Sequence, residues 1–166
     1  MSCRLMIAAS VLLLLLLGGC GSAVIESNQN QSLSPDETIV LTNIRGNVGM
    51  LVLTSDGPEV NLHLKYGDNY LALRLKKGHT YKVDKFSWSR NMDEGSFQFK
   101  DPLEFTLTSD DMIYIGDIDL VSKFNSSREM LMALLAYDRE TETIEKLREM
   151  YPALFDKYRY RKVLIQ

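Results

Sequence analysis

Two histidines, three acidic pairs and a basic tail carry the side chains of this sequence that could support acid–base, metal or anion chemistry. His63 falls on the polar face of an alternating run and His79 follows a turn; neither has the HxH or HExxH spacing that sets two imidazoles on one metal. Both read as solvated surface. The acidic pairs are Asp93-Glu94, Asp110-Asp111 and Asp117-x-Asp119. Asp117 and Asp119 would project from one face of a strand, close enough to share a cation, but the glycine and downstream glutamate of a calcium loop are missing. Turns and a solvated sheet face are therefore expected. The tail Lys157-Tyr158-Arg159-Tyr160-Arg161-Lys162 has two readings: a patch attracted to anionic lipid or wall polymer, or a strand with tyrosines in and arginines out. No Gly-x-Ser-x-Gly elbow, phosphate-cradling glycine loop or Cys-x-x-Cys pair is present. The expectation is no catalytic residue, no metal and no cofactor.

The remaining reactive groups are two thiols, Cys3 and Cys20. Arg4 supplies a positive start, and Leu5 to Leu17 is an apolar run of 13 residues. At helical rise it spans about 20 Å, short of a hydrocarbon core of roughly 30 Å, so it reads as a signal-peptide core rather than a membrane helix. Leu17-Gly18-Gly19-Cys20 resembles the lipobox of bacterial lipoproteins. That resemblance implies a leader over 1–19, attack of the Cys20 thiol on a diacylglyceryl donor, and cleavage that leaves acylated Cys20 as the first residue. Burial contributes about 0.8 kcal/mol per methylene, and two chains suffice for stable anchoring. The alternative is an ordinary secretory signal with Cys20 near the cut. Cleavage would also remove Cys3, leaving neither a free thiol nor a disulfide. The same resemblance implies that Gly21, where many enterobacterial lipoproteins held at the inner membrane carry Asp, favours the outer membrane in a cell with two membranes, on its periplasmic or surface face.

The elements that must position these groups belong to a chain of 166 residues with a net charge of -3, the size of one domain. A pI near 5.4 argues against nucleic acid as a partner. Residues 20–37 are polar and aperiodic, a flexible tether with a coil-like span of roughly 20–25 Å. Over 38–166 the pattern predicts an antiparallel β-sandwich. Leu62, Leu64 and Tyr66 alternate with polar residues, as do Leu71, Leu73 and Leu75, and Gly67-Asp68-Asn69 between them suggests a hairpin. Met50 to Leu53 is apolar on both faces, as in a central strand. Leu103, Phe105 and Leu107 form a further stripe. Tyr81 and Val83 change phase to Phe86 and Trp88, and Ile113 and Ile115 change to Ile118 and Leu120 across Gly116; a one-residue bulge accounts for each.

Towards the C-terminus, Ser126-Ser127-Arg128-Glu129 has the form of a capping box, and Met130 to Tyr151 could be one long helix. Equally, Met130 to Tyr137 could be a fully buried strand, followed by a helix over Arg139 to Met150 capped by Asp138. In that helix Ile144, Leu147 and Tyr151 form the buried stripe, and Pro152 ends or kinks it. The run Pro102 to Leu120 with Tyr114-Ile115-Gly116-Asp117, then Tyr137-Asp138-Arg139 and Tyr151-Pro152-Ala153-Leu154, is similar to a family of uncharacterised bacterial envelope lipoproteins. Leu75-Lys76-Lys77-Gly78-His79-Thr80-Tyr81 is similar to a hairpin of that family. The resemblance implies strand plus short helix, with a final strand through Tyr158 to Arg161, and implies no activity.

The functional expectation is a non-enzymatic binding or scaffolding module, held to a lipid bilayer through acylated Cys20 and engaging an envelope protein or glycan. The alternatives are an envelope hydrolase built on His63 or His79 with scattered acids, or an accessory subunit of a secretion or surface assembly. Replacing the thiol tests the anchor: Cys20→Ser should abolish fatty-acid labelling and leave an uncleaved or soluble product in fractionated cells. Label that persists in the variant would refute it.

Overall fold

A computed structural model describes residues 23–26, 32–57, 59–90, 93–124 and 130–166. The leader, the lipobox with Cys20 and the 126–129 capping motif lie outside the described residues. Among the described residues, ten strands form two sheets, and two helices cover one of them. The larger sheet contains β1 (Glu37–Gly46), β4 (Gly67–Lys76), β7 (Met112–Tyr114), β8 (Asp117–Phe124), β9 (Met130–Tyr137) and β10 (Arg161–Lys162). The smaller has the order β3 (Val60–Leu64), β2 (Gly49–Thr54), β5 (Thr80–Arg90) and β6 (Asp93–Thr106). The helices are α1 (Glu140–Met150) and α2 (Pro152–Lys157).

The architecture is the expected β-sandwich with a third, helical layer. One core lies between the sheets and gathers Val40, Ile44, Leu51, Leu53, Leu62, Leu73 and Phe86. A second lies under the helices, where Ile39, Leu41, Met112 and Tyr114 meet Ile144, Leu147, Tyr151 and Leu154. Alternate residues of β1 therefore enter different cores, and all of Thr38 to Ile44 is buried. A strand covered on both faces loses the in–out contrast of period two. Most pairings are antiparallel, but β1 runs parallel to β7 and β8, and β7 runs parallel to β10.

Both expected bulges are present. Against β1, Ile39 faces Met112 while Ile44 faces Ile118, so one extra residue lies between β7 and β8. Gly116 takes φ 96°, a left-handed conformation open to glycine, and the Thr42 hydroxyl donates to its carbonyl at 2.7 Å. In the smaller sheet Val52 faces Lys85 and Leu53 faces Val83, which leaves Asp84 as the extra residue.

The hairpin expected across Gly67-Asp68-Asn69 does not form. β3 pairs with β2 in one sheet, whereas β4 pairs with β1 in the other. The corner is a sheet-to-sheet crossover held by Asn69. Its Oδ1 accepts from the Lys65 amide, and its Nδ2 lies 2.9–3.1 Å from the carbonyls of Ile44, Lys65 and Gly67. One side chain thus satisfies the backbone where the sheet ladders stop.

Two further expectations are corrected. Met130–Tyr137 is a strand, but an edge strand: of its described side chains Met132 is buried, whereas Leu135 and Tyr137 are 42% and 40% exposed. Asp138 does not cap the helix, which starts at Glu140 behind Arg139 with no side-chain cap; its carboxylate is held by Lys162 instead. As expected, Pro152 ends α1; it also opens the short α2, because proline suits the first helical position and not the interior. The buried stripe of Ile144, Leu147 and Tyr151 is as expected.

Within the stretch expected as a tether, residues 23–26 are docked on the larger sheet. The Arg74 amide donates to Ala23 and the Ile25 amide to Ala72, at 2.7 and 2.8 Å, so residues 23–26 lie along β4. Ile25 is 1% exposed in the helix-side core, a burial that stabilises the docked segment by about 2–3 kcal/mol. Two apolar neighbours, Val24 and Ile25, supply opposite faces of this added strand and outweigh the polar composition around them.

Removing the corner's side chain tests the crossover. Asn69→Ala should lose about 2–4 kcal/mol in urea unfolding, since buried backbone groups are left without partners. A loss below about 0.5 kcal/mol would mean that the backbone alone holds the corner.

Candidate functional site

Two polar regions stand out, and only one is open. The closed one lies beside α1 on the helix-facing side of the larger sheet. There Asp117 is 1% exposed, not on the solvated face expected for it, because α1 packs over it. Its carboxylate accepts from the Tyr114 hydroxyl and from Thr143 Oγ1, all at 2.9 Å. Burial raises the pKa of Asp117 against the opposing pull of these bonds and of Arg139. Burial likewise raises the Tyr114 hydroxyl, assisted by the carboxylate it faces.

Asp119 is on the same face, as the spacing required, yet the two acids share no cation site. Arg139 takes both Asp119 oxygens at 2.8 and 2.9 Å and stacks over Tyr137 at 4.2 Å. The Asp119 hydrogen bonds raise the pKa of Arg139, so it stays charged. Asn43 and Arg45 both reach Asp68 Oδ1, at 2.9 and 2.6 Å, and the Asn43 bond leads in lowering that carboxyl's pKa. Every acid here is turned on a donor from another element. This is a clasp between sheet and helix, with its donors already engaged.

The open region is a groove of about 790 Å³ at one end of the smaller sheet. Its floor is a row in register across all four strands: His63 opposite Met50, Met50 opposite Ser87, Ser87 opposite Ser96. Val48, Glu94 and Trp88 complete the rim. Trp88 packs parallel to Phe86, with ring centroids 6.3 Å apart, and its indole lies across Gly95, where a Cβ would overlap the ring. Glycine is required there because the close approach leaves no room for a side chain. The surface combines two hydroxyls, an imidazole, a thioether and one carboxylate. It can donate and accept hydrogen bonds to a neutral polar ligand beside an apolar wall.

His63 thus sits on the exposed strand face, as expected, but at a groove that sequence reasoning missed. No periodic signal joins Met50, Ser87 and Ser96. Among the described residues, His63 shares the groove with a single carboxylate, Glu94. His79 faces Asp56, with 2.6 Å between Nδ1 and Oδ1, and this contact lowers the pKa of Asp56. Among the described residues, neither histidine gathers the two acids that a hydrolase site would use.

The tail adopts the inward-tyrosine arrangement. Tyr158 and Tyr160 pack on the helix-side core, and the Tyr160 hydroxyl donates to Glu140. The strand itself is only Arg161–Lys162, later than expected. Arg161 pairs with Asp110, and Lys162 pairs with Asp138 and Glu140. These bonds lower the pKa of Asp110 and of Glu140, and they neutralise two of the cations that an anionic polymer would need.

No family model matches the chain, and neither does any curated protein or solved structure.

The buried carboxyl makes a pH-dependent prediction. A pKa raised in the folded state gives stability that is present below the unfolded value and lost as pH rises through the folded one. Asp117→Asn removes this titration. The melting temperature of the variant minus that of the wild type should therefore increase as pH rises from about 3 to 7. A difference that is flat with pH would show that Asp117 titrates normally.

Proposed function

We propose that this chain is an envelope lipoprotein, held to a bilayer through acylated Cys20, whose sandwich is a non-enzymatic binding module. The observation that carries the binding reading is the groove at the end of the smaller sheet. It is of ligand-binding size, its floor offers two hydroxyls and an imidazole, and its one described carboxylate lies on the rim. Such a surface suits an uncharged polar segment, either a glycan or an extended peptide of an envelope protein. The outer membrane, in a cell that has one, is the proposed location.

A specific observation also favours the accessory-subunit reading. Among the described residues, β9 has a strand on one side only, and MLMALLAY contains no charge, proline or glycine. Edge strands usually carry such residues to prevent unwanted pairing. Their absence here fits an edge that receives a strand from a partner by β-augmentation.

The groove is tested by a photo-crosslinking residue at His63 in intact cells, with Glu149 on the exposed side of α1 as the control position. The expected outcome is a discrete adduct from position 63 only, which disappears when Ser87→Trp fills the floor. Equal yields from both positions, or an adduct untouched by Ser87→Trp, would remove the groove from the proposal.

A further inference from the structure

We infer that the sandwich is seated directly on the bilayer by its β4 edge, with the β4–β5 end towards the lipid and the groove displayed at the far end. The inference rests on the proposed acylation of Cys20 and deepens it into an orientation. Residues 23–26 are part of the folded body, fixed to β4 by the Ala23 and Ile25 backbone bonds and by burial of the Ile25 side chain. Only Gly21 and Ser22 separate Cys20 from Ala23. Whatever path these residues take, three peptide steps reach no further than about 11 Å between Cα atoms. A free tether over 20–37 would have allowed roughly twice that distance and every orientation.

The direction of the docked segment sets which end faces the lipid. It runs antiparallel to β4, with Val24 opposite Leu73 and Ala23 beside Arg74, so the chain enters at the Lys76 end and runs towards Gly67. The Lys76 end also carries Asp36, whose carbonyl accepts from the Lys77 amide. Tyr66, 80% exposed, lies eight residues from Arg74 at the opposite end, about 26 Å away at strand rise. The two connections β1–β2 and β3–β4 meet at that distal end, as do Val48, Gly49 and Leu64 of the groove. Charge plays little part, since Lys76 is paired with Asp36 and Glu37, and Lys77 with Asp111. The partner surface is the phospholipid headgroup layer, and chain length alone holds the protein to it.

The experiment uses the acylated, full mature protein in vesicles of phosphatidylethanolamine and phosphatidylglycerol whose headgroups carry a nitroxide quencher. With Cys20 consumed by acylation, a bimane is attached at Asp36→Cys or at Tyr66→Cys. Quenching at position 36 should exceed that at 66 on the order of threefold, and a Gly-Ser insert of about a dozen residues after Gly21 should abolish the difference by adding roughly 20 Å of coil. Equal quenching at both positions in vesicle-bound protein, or a difference unaffected by the insert, would overturn the seating while leaving the anchor intact. Protein that does not float with the vesicles would instead overturn the acylation on which the inference rests.

Discussion

Burial of the larger sheet on both faces is the constraint from which the rest of the structure follows. Its central strand β1 is hydrogen-bonded along both edges and sends alternate side chains into two separate cores. A polar group on such a strand must find a partner inside the protein, because water reaches neither face. Thr38 and Thr42 do so by donating to the carbonyls of Asp110 and Gly116. The third layer exists for the same reason. Without α1 and α2, Ile39, Leu41 and Met112 would face solvent, and a small domain has little apolar area to leave exposed.

That layering also decides where charge can act. Where the apolar stripe of α1 ends, the helix-facing side of the sheet continues as Asn43, Arg45, Asp68, Asp117 and Asp119, joined by Thr143 and Arg139 from the helical layer. Burial makes an unpaired Asp117 costly, and each acid of the group is matched to a donor. At the surface, Arg161 and Lys162 of the tail are likewise matched to Asp110, Asp138 and Glu140. The open groove lies on the other sheet, whose outer face carries no helix among the described residues. Under the proposed anchor beside β4, attachment and groove would lie a strand's length apart.

Several strands were legible because their signal is local. Leu103, Phe105 and Leu107 alternate as a strand with one solvated face must, and Leu71, Leu73 and Leu75 keep the same period although buried Ala72 shows their strand covered on the other side too. The phase changes at Asp84 and Gly116 were legible for the same reason, since a bulge shifts the period within a single run. Turn chemistry at Gly67-Asp68-Asn69 correctly marked a corner and wrongly implied a hairpin. Those residues bend the chain; they carry no information about which strand waits on the other side. The edge position of β9 was hidden because a continuous apolar run looks identical whether its far face meets a helix, another sheet or a partner.

The sequence by itself determined the alternation of faces, the corners, the bulges and the buried stripe of α1. Each depends on residues within about a dozen positions of one another. Tertiary structure alone decided that β3 and β4 belong to different sheets, that Val24 and Ile25 add a strand to β4, and that Asp117 lies under Thr143. It alone aligned His63, Met50, Ser87 and Ser96 into one floor. Those outcomes depend on contacts between segments tens of residues apart, whose pairing is chosen by the total apolar surface buried and not by any local pattern.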